Sequence, residues 1–205
     1  MAYVVHETFL TVQGEGGNLG RVAVFVRFAG CNLWSGREED RAQAVCTFCD
    51  TEFRGGERFE TAEQLAEKAL SLWPEGAPNP MVVLTGGEPL LQVDASLIDI
   101  LRARGAFIAL ETNGTQPLPA PVDWICVSPK STAKVVLERA NEIKLVYPQP
   151  DAMPAQFADF PADHRWLSPM DGRNIAANTQ AAFDYCLAHP QWRMNIQAHK
   201  SWQVR

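Results

Sequence analysis

The sequence predicts an α/β fold, a shortened and incomplete parallel barrel of the (β/α)6 type. Short β-branched runs alternate with segments of helical periodicity, which is typical of βα units around a parallel sheet. Most of these runs are almost continuously apolar, as expected for strands that are covered on both faces. A chain of 205 residues is shorter than the roughly 250 residues of a full eight-stranded barrel. We therefore expect a single domain over residues 1–205.

The predicted elements follow one another along the chain. A capping box of Thr61 and Gln64 begins one helix, Asp94 caps a second, and a third helix runs over about 178–188 and ends before Pro190. Two stretches lack periodicity, a polar insertion at about 32–45 and a segment at 147–163 that is rich in Pro and Ala. Both are predicted to be surface excursions. The predicted strands span 22–28, 81–84, 107–110, 124–127, 142–146 and 193–197.

Composition and charge exclude several classes of protein. The formal charge is -6 and the basic residues are scattered, which argues against a nucleic-acid partner. No run of eighteen apolar residues or basic leader segment occurs, so we expect neither a membrane partner nor export, but a cytoplasmic protein. The chain contains five cysteines, an odd number, and in a reducing compartment clustered cysteines indicate metal binding or catalysis.

Three cysteines form a C-x14-C-x2-C arrangement directly after the strand at 22–28: Cys31, Cys46 and Cys49. A structural zinc site normally requires four protein ligands. Cys126 and Cys186 lie in apolar segments and are interpreted as core residues, and nothing near His6 supports it as a fourth ligand. Three ligands without an obvious fourth favour an iron-sulfur cluster with one open coordination position.

A second signal is the segment Gly86-Gly87-Glu88-Pro89 after the strand at 81–84. Two glycines allow close approach to the backbone, and Glu88 supplies an acceptor suited to an ammonium or hydroxyl group. Taken alone, the segment is equally consistent with a simple turn.

Together these signals resemble the radical S-adenosylmethionine (SAM) superfamily, in which three cysteines bind a [4Fe-4S] cluster and the G-G-E-P segment contacts SAM. The spacing departs from the commonest C-x3-C-x2-C pattern. The expanded spacing and the short chain resemble one branch, the 7-carboxy-7-deazaguanine synthases of queuosine biosynthesis, from Glu7 to the C-terminus. The resemblance implies conversion of 6-carboxy-5,6,7,8-tetrahydropterin into 7-carboxy-7-deazaguanine with release of ammonia. It also implies a radical SAM barrel, with the insertion at 32–45 in its cluster loop.

The resemblance also implies a substrate site. Gln13 and Glu15 carry the amide and carboxylate groups that read a pyrimidinone edge. Arg27 stands in an apolar strand and needs an anionic partner, either the substrate carboxylate or, alternatively, Glu7 or Glu15. The predicted substrate-binding residues are Val12, Gln13, Gly14, Glu15, Arg27, Gly87, Glu111 and His199.

For the cofactors, the resemblance assigns Thr51 to Mg²⁺, whose remaining coordination positions would be filled by substrate oxygens and water. Phe48 is predicted to stack on adenine, or alternatively to be a core contact. The predicted SAM-binding residues are Phe48, Gly86, Gly87, Glu88, Ser128 and Lys130.

The expected partners are the small-molecule pterin, a reductant protein such as a flavodoxin or ferredoxin, and a second copy of the chain in a homodimer. Two alternatives remain open. One is a radical SAM activating enzyme that acts on a partner protein, and the other is a zinc-stabilised binding module without catalysis.

Overall fold

The computed structural model describes residues 2–204, which form one nine-stranded sheet. Its strand order is β3-β1-β2-β4-β5-β6-β7-β8-β9. The pairs from β2–β4 through β8–β9 are all parallel, whereas β1 pairs antiparallel with both β2 and β3. The outermost strands, β3 and β9, do not pair with each other, so the barrel is incomplete as predicted. The strands are β1 (Tyr3–Val12), β2 (Val22–Phe28), β3 (Glu57–Phe59), β4 (Met81–Gly86), β5 (Phe107–Thr112), β6 (Trp124–Val127), β7 (Ala140–Tyr147), β8 (Ala162–Pro169) and β9 (Arg193–Met194).

The helices begin where their capping residues predict. The Thr61 hydroxyl accepts from the Gln64 backbone and the Gln64 side chain accepts from the Thr61 backbone, which completes the capping box. The Asp94 carboxylate accepts from the backbone of Leu97 at 3.0 Å. The third helix begins a few residues earlier than predicted and ends before Pro190. The helices are α1 (Ala62–Leu70), α2 (Ala95–Ala103), α3 (Ile175–Ala188) and α4 (Ala198–Trp202).

Fewer connections are helical than a regular (β/α)6 pattern implies. Helices α1 and α2 pack on the outer face of β1, β2, β4 and β5, and α3 packs on β7 and β8. The β5–β6 connection contains prolines at 117, 119 and 121, which cannot donate helical hydrogen bonds. Leu118, Ala120 and Val122 alternate with these prolines and pack against the same core as α1 and α2. An extended segment therefore covers the sheet where a helix would otherwise lie.

Three strands were not predicted, β1, β3 and β8, and the segment at 147–163 is not a simple surface excursion. Ala152 and Gln149 are buried there, and Phe157 and Phe160 pack against the core of β7, β8 and α3. The segment ends in β8, which begins at Ala162. Strand β1 was also missed, and β9 is shorter than the predicted 193–197.

The insertion at 32–45 folds around Trp34, which is buried. Its ring meets the Phe53 ring edge-on at 5.7 Å, and the Arg41 guanidinium lies over its other side at 4.1 Å. A short 3-10 helix, Glu38–Gln43, carries Arg41. The insertion is therefore anchored to the protein instead of extending into solvent.

Among residues 2–204, no helix combines the length and the apolar character that a membrane span requires.

Candidate active site

A cavity of about 630 Å³ opens at the carboxyl ends of the parallel strands. This is the edge at which α/β sheets and barrels place their ligands. Cys31 and Glu88 lie outside its lining. The cavity brings together most of the predicted site residues: Val12, Gln13, Gly14, Glu15, Arg27, Cys46, Phe48, Cys49, Thr51, Gly86, Gly87, Glu111, Ser128, Lys130 and His199.

The three clustered cysteines lie on loops at one end of this cavity. The Cys46 thiol donates a hydrogen bond to Cys49, which lowers the pKa of Cys49 to about 6 and raises the pKa of Cys46. Burial raises the pKa of Cys31, although its sulfur accepts from the backbone N–H of Leu33 at 3.4 Å. The positive charge of Lys130 lowers the pKa of both Cys46 and Cys49. Of the three thiols, Cys49 is therefore the one whose pKa is lowered, whereas the pKa values of Cys31 and Cys46 are raised.

These three thiols fit the donor set of an iron-sulfur cluster, which takes its protein ligands as thiolates. Electrostatic interactions among all three place the sulfurs in one region of the protein, although no three His, Cys, Asp or Glu side chains within 2–204 are already arranged around a common metal position. The other two cysteines are separate from this group: Cys126 is buried on β6 and lines the polar end of the same cavity, and Cys186 belongs to α3 and packs against the core of β7 and β8. The His6 ring bonds to the Arg54 carbonyl oxygen at 2.9 Å. The set therefore provides three thiolates from one loop region.

Gly86 and Gly87, at the end of β4, are needed because neighbouring backbone approaches this point closely. A Cβ on Gly87 would lie 2.1 Å from the carbonyl oxygen of Gly30 and 2.9 Å from the Cβ of Cys31. A Cβ on Gly86 would lie 2.5 Å from the carbonyl oxygen of Phe28. Since both distances to backbone oxygen are too short for any side chain, the strand end and the cysteine loop contact each other through bare backbone.

The Glu88 side chain is held by partners within the protein. Its carboxylate is fully buried and accepts from the Thr112 hydroxyl at 2.7 Å and from the backbone N–H of Asn113 and Leu90 at 2.8 and 3.0 Å. Burial raises the pKa of Glu88 although these three hydrogen bonds oppose the shift. The carboxylate therefore fastens the end of β5 to the turn after β4.

The other end of the cavity holds a polar cluster, which consists of Gln13, Glu15, Glu111 and Lys144. The Gln13 amide donates to the Glu111 carboxylate at 2.9 Å, and the Thr85 hydroxyl donates to its second oxygen at 3.2 Å. The Lys144 ammonium donates to Glu15 at 2.5 Å, and the two side chains are only 13% and 14% exposed. The cluster thus holds two carboxylates and one ammonium away from bulk water.

The opposite charges in this polar cluster offset the effect of burial on each other's pKa. Burial alone would raise the pKa of Glu15, but the charge and hydrogen bond of Lys144, with smaller contributions from Gln197 and His199, lower it. Burial would likewise lower the pKa of Lys144, and the carboxylates of Glu15 and Glu111 raise it instead. Glu15 and Lys144 are therefore charged at neutral pH.

Lys144 was missed at the sequence level. It stands in the predicted strand at 142–146 between apolar neighbours. Like Arg27, Lys144 is a basic residue in an apolar strand, and such a residue needs an anionic partner.

Gly14 and His199 bring the C-terminal helix against the turn that carries the polar cluster. A Cβ on Gly14 would lie 2.5 Å from Nδ1 of His199, and the Ala198 N–H donates to the Gly14 carbonyl oxygen at 3.0 Å. Asn195 is buried and links the same turn to β8, because it accepts from the Gly16 N–H and donates to the Ser168 hydroxyl, both at 2.8 Å. Helix α4 therefore forms part of the cavity wall.

Arg27 forms an ion pair with Glu7 at 2.9 Å. This is the alternative partner considered from the sequence. Both residues line the cavity and keep 21% and 26% of their side-chain surface exposed. The guanidinium is thus held at the cavity wall by a neighbouring strand.

Thr51 lines the cavity between the thiol end and helix α4. Its neighbour Asp50 accepts from the Lys200 ammonium at 3.1 Å, and Lys200 also donates to Asp171 at 2.5 Å. Ser128 donates to the backbone carbonyl oxygen of Lys144 at 2.8 Å, which connects the ends of β6 and β7.

The comparisons with known proteins agree with this geometry. The model of the radical SAM superfamily matches residues 41–145, which include Cys46 and Cys49. The 7-carboxy-7-deazaguanine synthase of Caulobacter vibrioides is 57% identical over 98% of both chains, and that of Bradyrhizobium diazoefficiens is 55% identical over 100% of both. The crystal structure of QueE from Escherichia coli superposes with a TM-score of 0.74 at 28% identity, covering 97% of this chain and 95% of that one.

The model match covers about half of the chain, and the relatives match it from end to end. This chain belongs to the radical SAM superfamily and, within it, to the 7-carboxy-7-deazaguanine synthase family.

Proposed function

We propose that this enzyme converts 6-carboxy-5,6,7,8-tetrahydropterin into 7-carboxy-7-deazaguanine with release of ammonia, as a carbon-nitrogen lyase of queuosine and 7-deazapurine biosynthesis. The observation that carries the proposal is a single cavity with two unlike ends. One end presents the thiol set that the family uses for its cluster, and the other presents acceptors and donors for a flat, polar heterocycle. The relatives that match over the whole chain bear the name of this activity.

Membership in the superfamily implies a [4Fe-4S] cluster and SAM, which supply one-electron chemistry when they are bound. Cys31, Cys46 and Cys49 would hold the cluster. The backbone of Gly86 and Gly87 would contact SAM, together with Phe48, Ser128 and Lys130, because these residues line the cavity next to the thiols.

At the other end, Glu15 and Glu111 would accept hydrogen bonds from the N–H groups of the pterin, and Gln13 would hold Glu111 in position. Arg27 would bind the substrate carboxylate through guanidinium nitrogens that the Glu7 pair leaves available, since one Nε contact joins them. The cavity wall formed by Val12, Gly14, Gly87 and His199 would exclude water from the reacting carbon.

We also propose that Thr51 binds Mg²⁺. The Thr51 hydroxyl lines the cavity and makes no hydrogen bond to another residue within 2–204. A hard cation that keeps several waters needs few protein ligands when substrate oxygens complete its shell. Thr51 would then orient the substrate through the ion.

We further propose a homodimer, reduced by a small electron-transfer protein such as a flavodoxin or ferredoxin, that works in the cytoplasm. Phe183 and Leu187 on α3 are 48% and 67% exposed, which suits a face covered by a second copy. Light scattering of the purified protein would detect a monomer if this part of the proposal is wrong. A reducing compartment would keep the three thiols available for iron.

The activity is tested by anaerobic reconstitution with iron and sulfide, followed by SAM, dithionite, Mg²⁺ and the tetrahydropterin. Mass spectrometry should detect the deazaguanine acid, and Cys46→Ala should abolish it. SAM cleavage without that product would retain the superfamily chemistry and remove the proposed substrate. A colourless protein that binds one zinc per chain would contradict the proposal altogether.

A further inference from the structure

The ammonium group of Lys144 is placed to recognise a ligand. Lys144 stands on β7 with its side chain 13% exposed, and it is one of the residues that line the cavity. An ammonium has three N–H donors. One of them is used at 2.5 Å by Glu15.

The surroundings of Lys144 supply acceptors for the substrate's donors but few competing donors. Its charge interacts with Glu15, Glu111 and Cys126. Gln13 donates its amide to Glu111, and Gln197 and His199 face Glu15. Lys144 is therefore the cation of the polar cluster.

The other cationic side chains that line the cavity interact with different groups. Arg27 pairs with Glu7, Lys200 pairs with Asp50 and Asp171, and Lys130 acts on the thiols.

The ring edge of a 2-amino-4-oxo pyrimidine presents donors and one strong acceptor. The 2-amino group and the N3–H donate, and the 4-oxo oxygen accepts. Carboxylates match the donors, whereas the oxo oxygen requires an N–H donor. In this cavity, a carboxylate and an ammonium joined by a 2.5 Å contact offer both kinds of partner side by side.

We infer that Lys144 donates a hydrogen bond to the 4-oxo oxygen of the ring and thereby selects 2-amino-4-oxo rings over 2,4-diamino rings. The inference rests on the proposed function, because it assigns a partner to one atom of the proposed substrate. A 4-amino group would place N–H donors against the ammonium, and no acceptor would face them. A site built to bond one polar group rejects the analogue that lacks it, because its own polar groups are left unpaired.

The test measures binding, with calorimetry of the anaerobic, cluster-loaded enzyme in the presence of SAM. Three stable ligands share the 6-carboxylate: 6-carboxypterin, its 2,4-diamino analogue, and the 4-oxo analogue that lacks the 2-amino group. Lys144→Met removes the ammonium with little change in side-chain length, and Lys144→Gln retains a neutral donor and adds an acceptor. Lys134→Met is the matched control, since Lys134 is exposed and outside the cavity lining.

We expect Lys144→Met to weaken both 4-oxo ligands by roughly 10- to 100-fold, as for a lost hydrogen bond to a charged group. The 2,4-diamino ligand should lose much less, so that the preference of the site for 4-oxo rings falls. Lys144→Gln should recover part of the 4-oxo binding and improve binding of the diamino ligand relative to Lys144→Met. Lys134→Met should match the wild type.

An equal loss for all three ligands would overturn the inference, because Lys144 would then act only as the counter-charge of Glu15. Unchanged binding of the 4-oxo ligands in both variants would overturn it as well. In either case the proposed function stands if the wild type still forms the deazaguanine product. If the wild type binds none of the three ligands and forms no product, the proposed function fails and the inference fails with it.

Discussion

The two ends of the cavity are built differently. At the polar end, Glu111 and Lys144 project from neighbouring regions of the sheet, and their partners are fixed by strand and turn hydrogen bonds. At the thiol end, Cys46 and Cys49 belong to loop segments outside the sheet. Arg41 of the insertion donates to the carbonyl oxygens of Thr47 and Cys49, both at 3.0 Å. The sheet therefore preorganises one end, whereas contacts between loops hold the other.

Loss of a thiol should have the largest effect. Cys46→Ala should reduce the iron content after reconstitution from about four per chain to near zero, because two thiolates do not retain a [4Fe-4S] cluster. Cys126→Ala is the control, since Cys126 is a buried thiol on β6. Iron analysis and the brown absorbance report the difference. A variant at Cys46 that keeps full iron would show that another residue serves as ligand.

The next effect tests the preorganised end. Glu15→Gln should destabilise the protein by about 3–5 kcal/mol at neutral pH, because it leaves the Lys144 ammonium buried without its partner charge. Because the folded-state pKa of Glu15 lies below its ordinary value of 4.5, the stability from its charge is present above that value and is lost as the pH falls through the lowered pKa. Urea unfolding should therefore show the variant and the wild type converging in acid.

Glu138→Gln serves as the control for Glu15→Gln, since Glu138 is exposed. A difference between Glu15→Gln and the wild type that stays constant down to strongly acidic pH would contradict the assigned ion pair.

A smaller effect is expected where the end of β4 meets the cysteine loop through bare backbone. Gly87→Ala should destabilise the protein by about 1–3 kcal/mol and lower its iron content, since the added Cβ overlaps the Gly30 carbonyl oxygen and displaces the Cys31 loop. Gly76→Ala is the comparison: nothing lies within 4 Å of its added Cβ, and its φ angle of 74° adds a backbone cost that Gly87, whose φ angle is not positive, does not have. Equal effects of the two substitutions would remove the argument from close approach.

The smallest effect concerns the insertion. Arg41→Ala should leave the cluster in place but speed its loss to a chelator by roughly tenfold, the effect of about 1.4 kcal/mol from its hydrogen bonds. Arg37→Ala should change little, because the Arg37 side chain is 67% exposed. Stopped-flow absorbance with a chelator measures both rates. Identical rates for both variants would show that the insertion does not support the cysteine loop.

The same contrast explains which strands could be predicted from sequence. Strands β2, β4 and β5 are apolar on both faces, so their patterns were evident. Strands β1 and β8 were missed because their cavity-facing side chains are polar. Glu7 on β1 and Ser168 on β8 line the cavity, and these positions interrupt the apolar runs that indicate a buried strand.

The site shows a similar division. The residue types of Gln13, Glu15 and the cysteines predicted a common site, and the cavity brings them together apart from Cys31, which lies against Gly87. Sequence could not predict that Glu88 would be satisfied by Thr112 and Asn113, because these partners come from the next strand and only the folded register places them there. The sequence indicated that two glycines allow close approach to the backbone. In the structure, the group that approaches them is the protein's own backbone at Phe28 and Gly30.

The thiol end of the cavity would hold the cluster and SAM, and the polar end would hold the substrate, so that both ligands meet in one cavity. The most direct test uses the tetrahydropterin deuterated at the carbon that bears the carboxylate, with the reconstituted enzyme, SAM and reductant. The deazaguanine product should form, and deuterium should appear in the adenosyl group of the cofactor. Product formation with no deuterium in the cofactor would contradict this arrangement, because the substrate carbon would not then face the cofactor across this cavity.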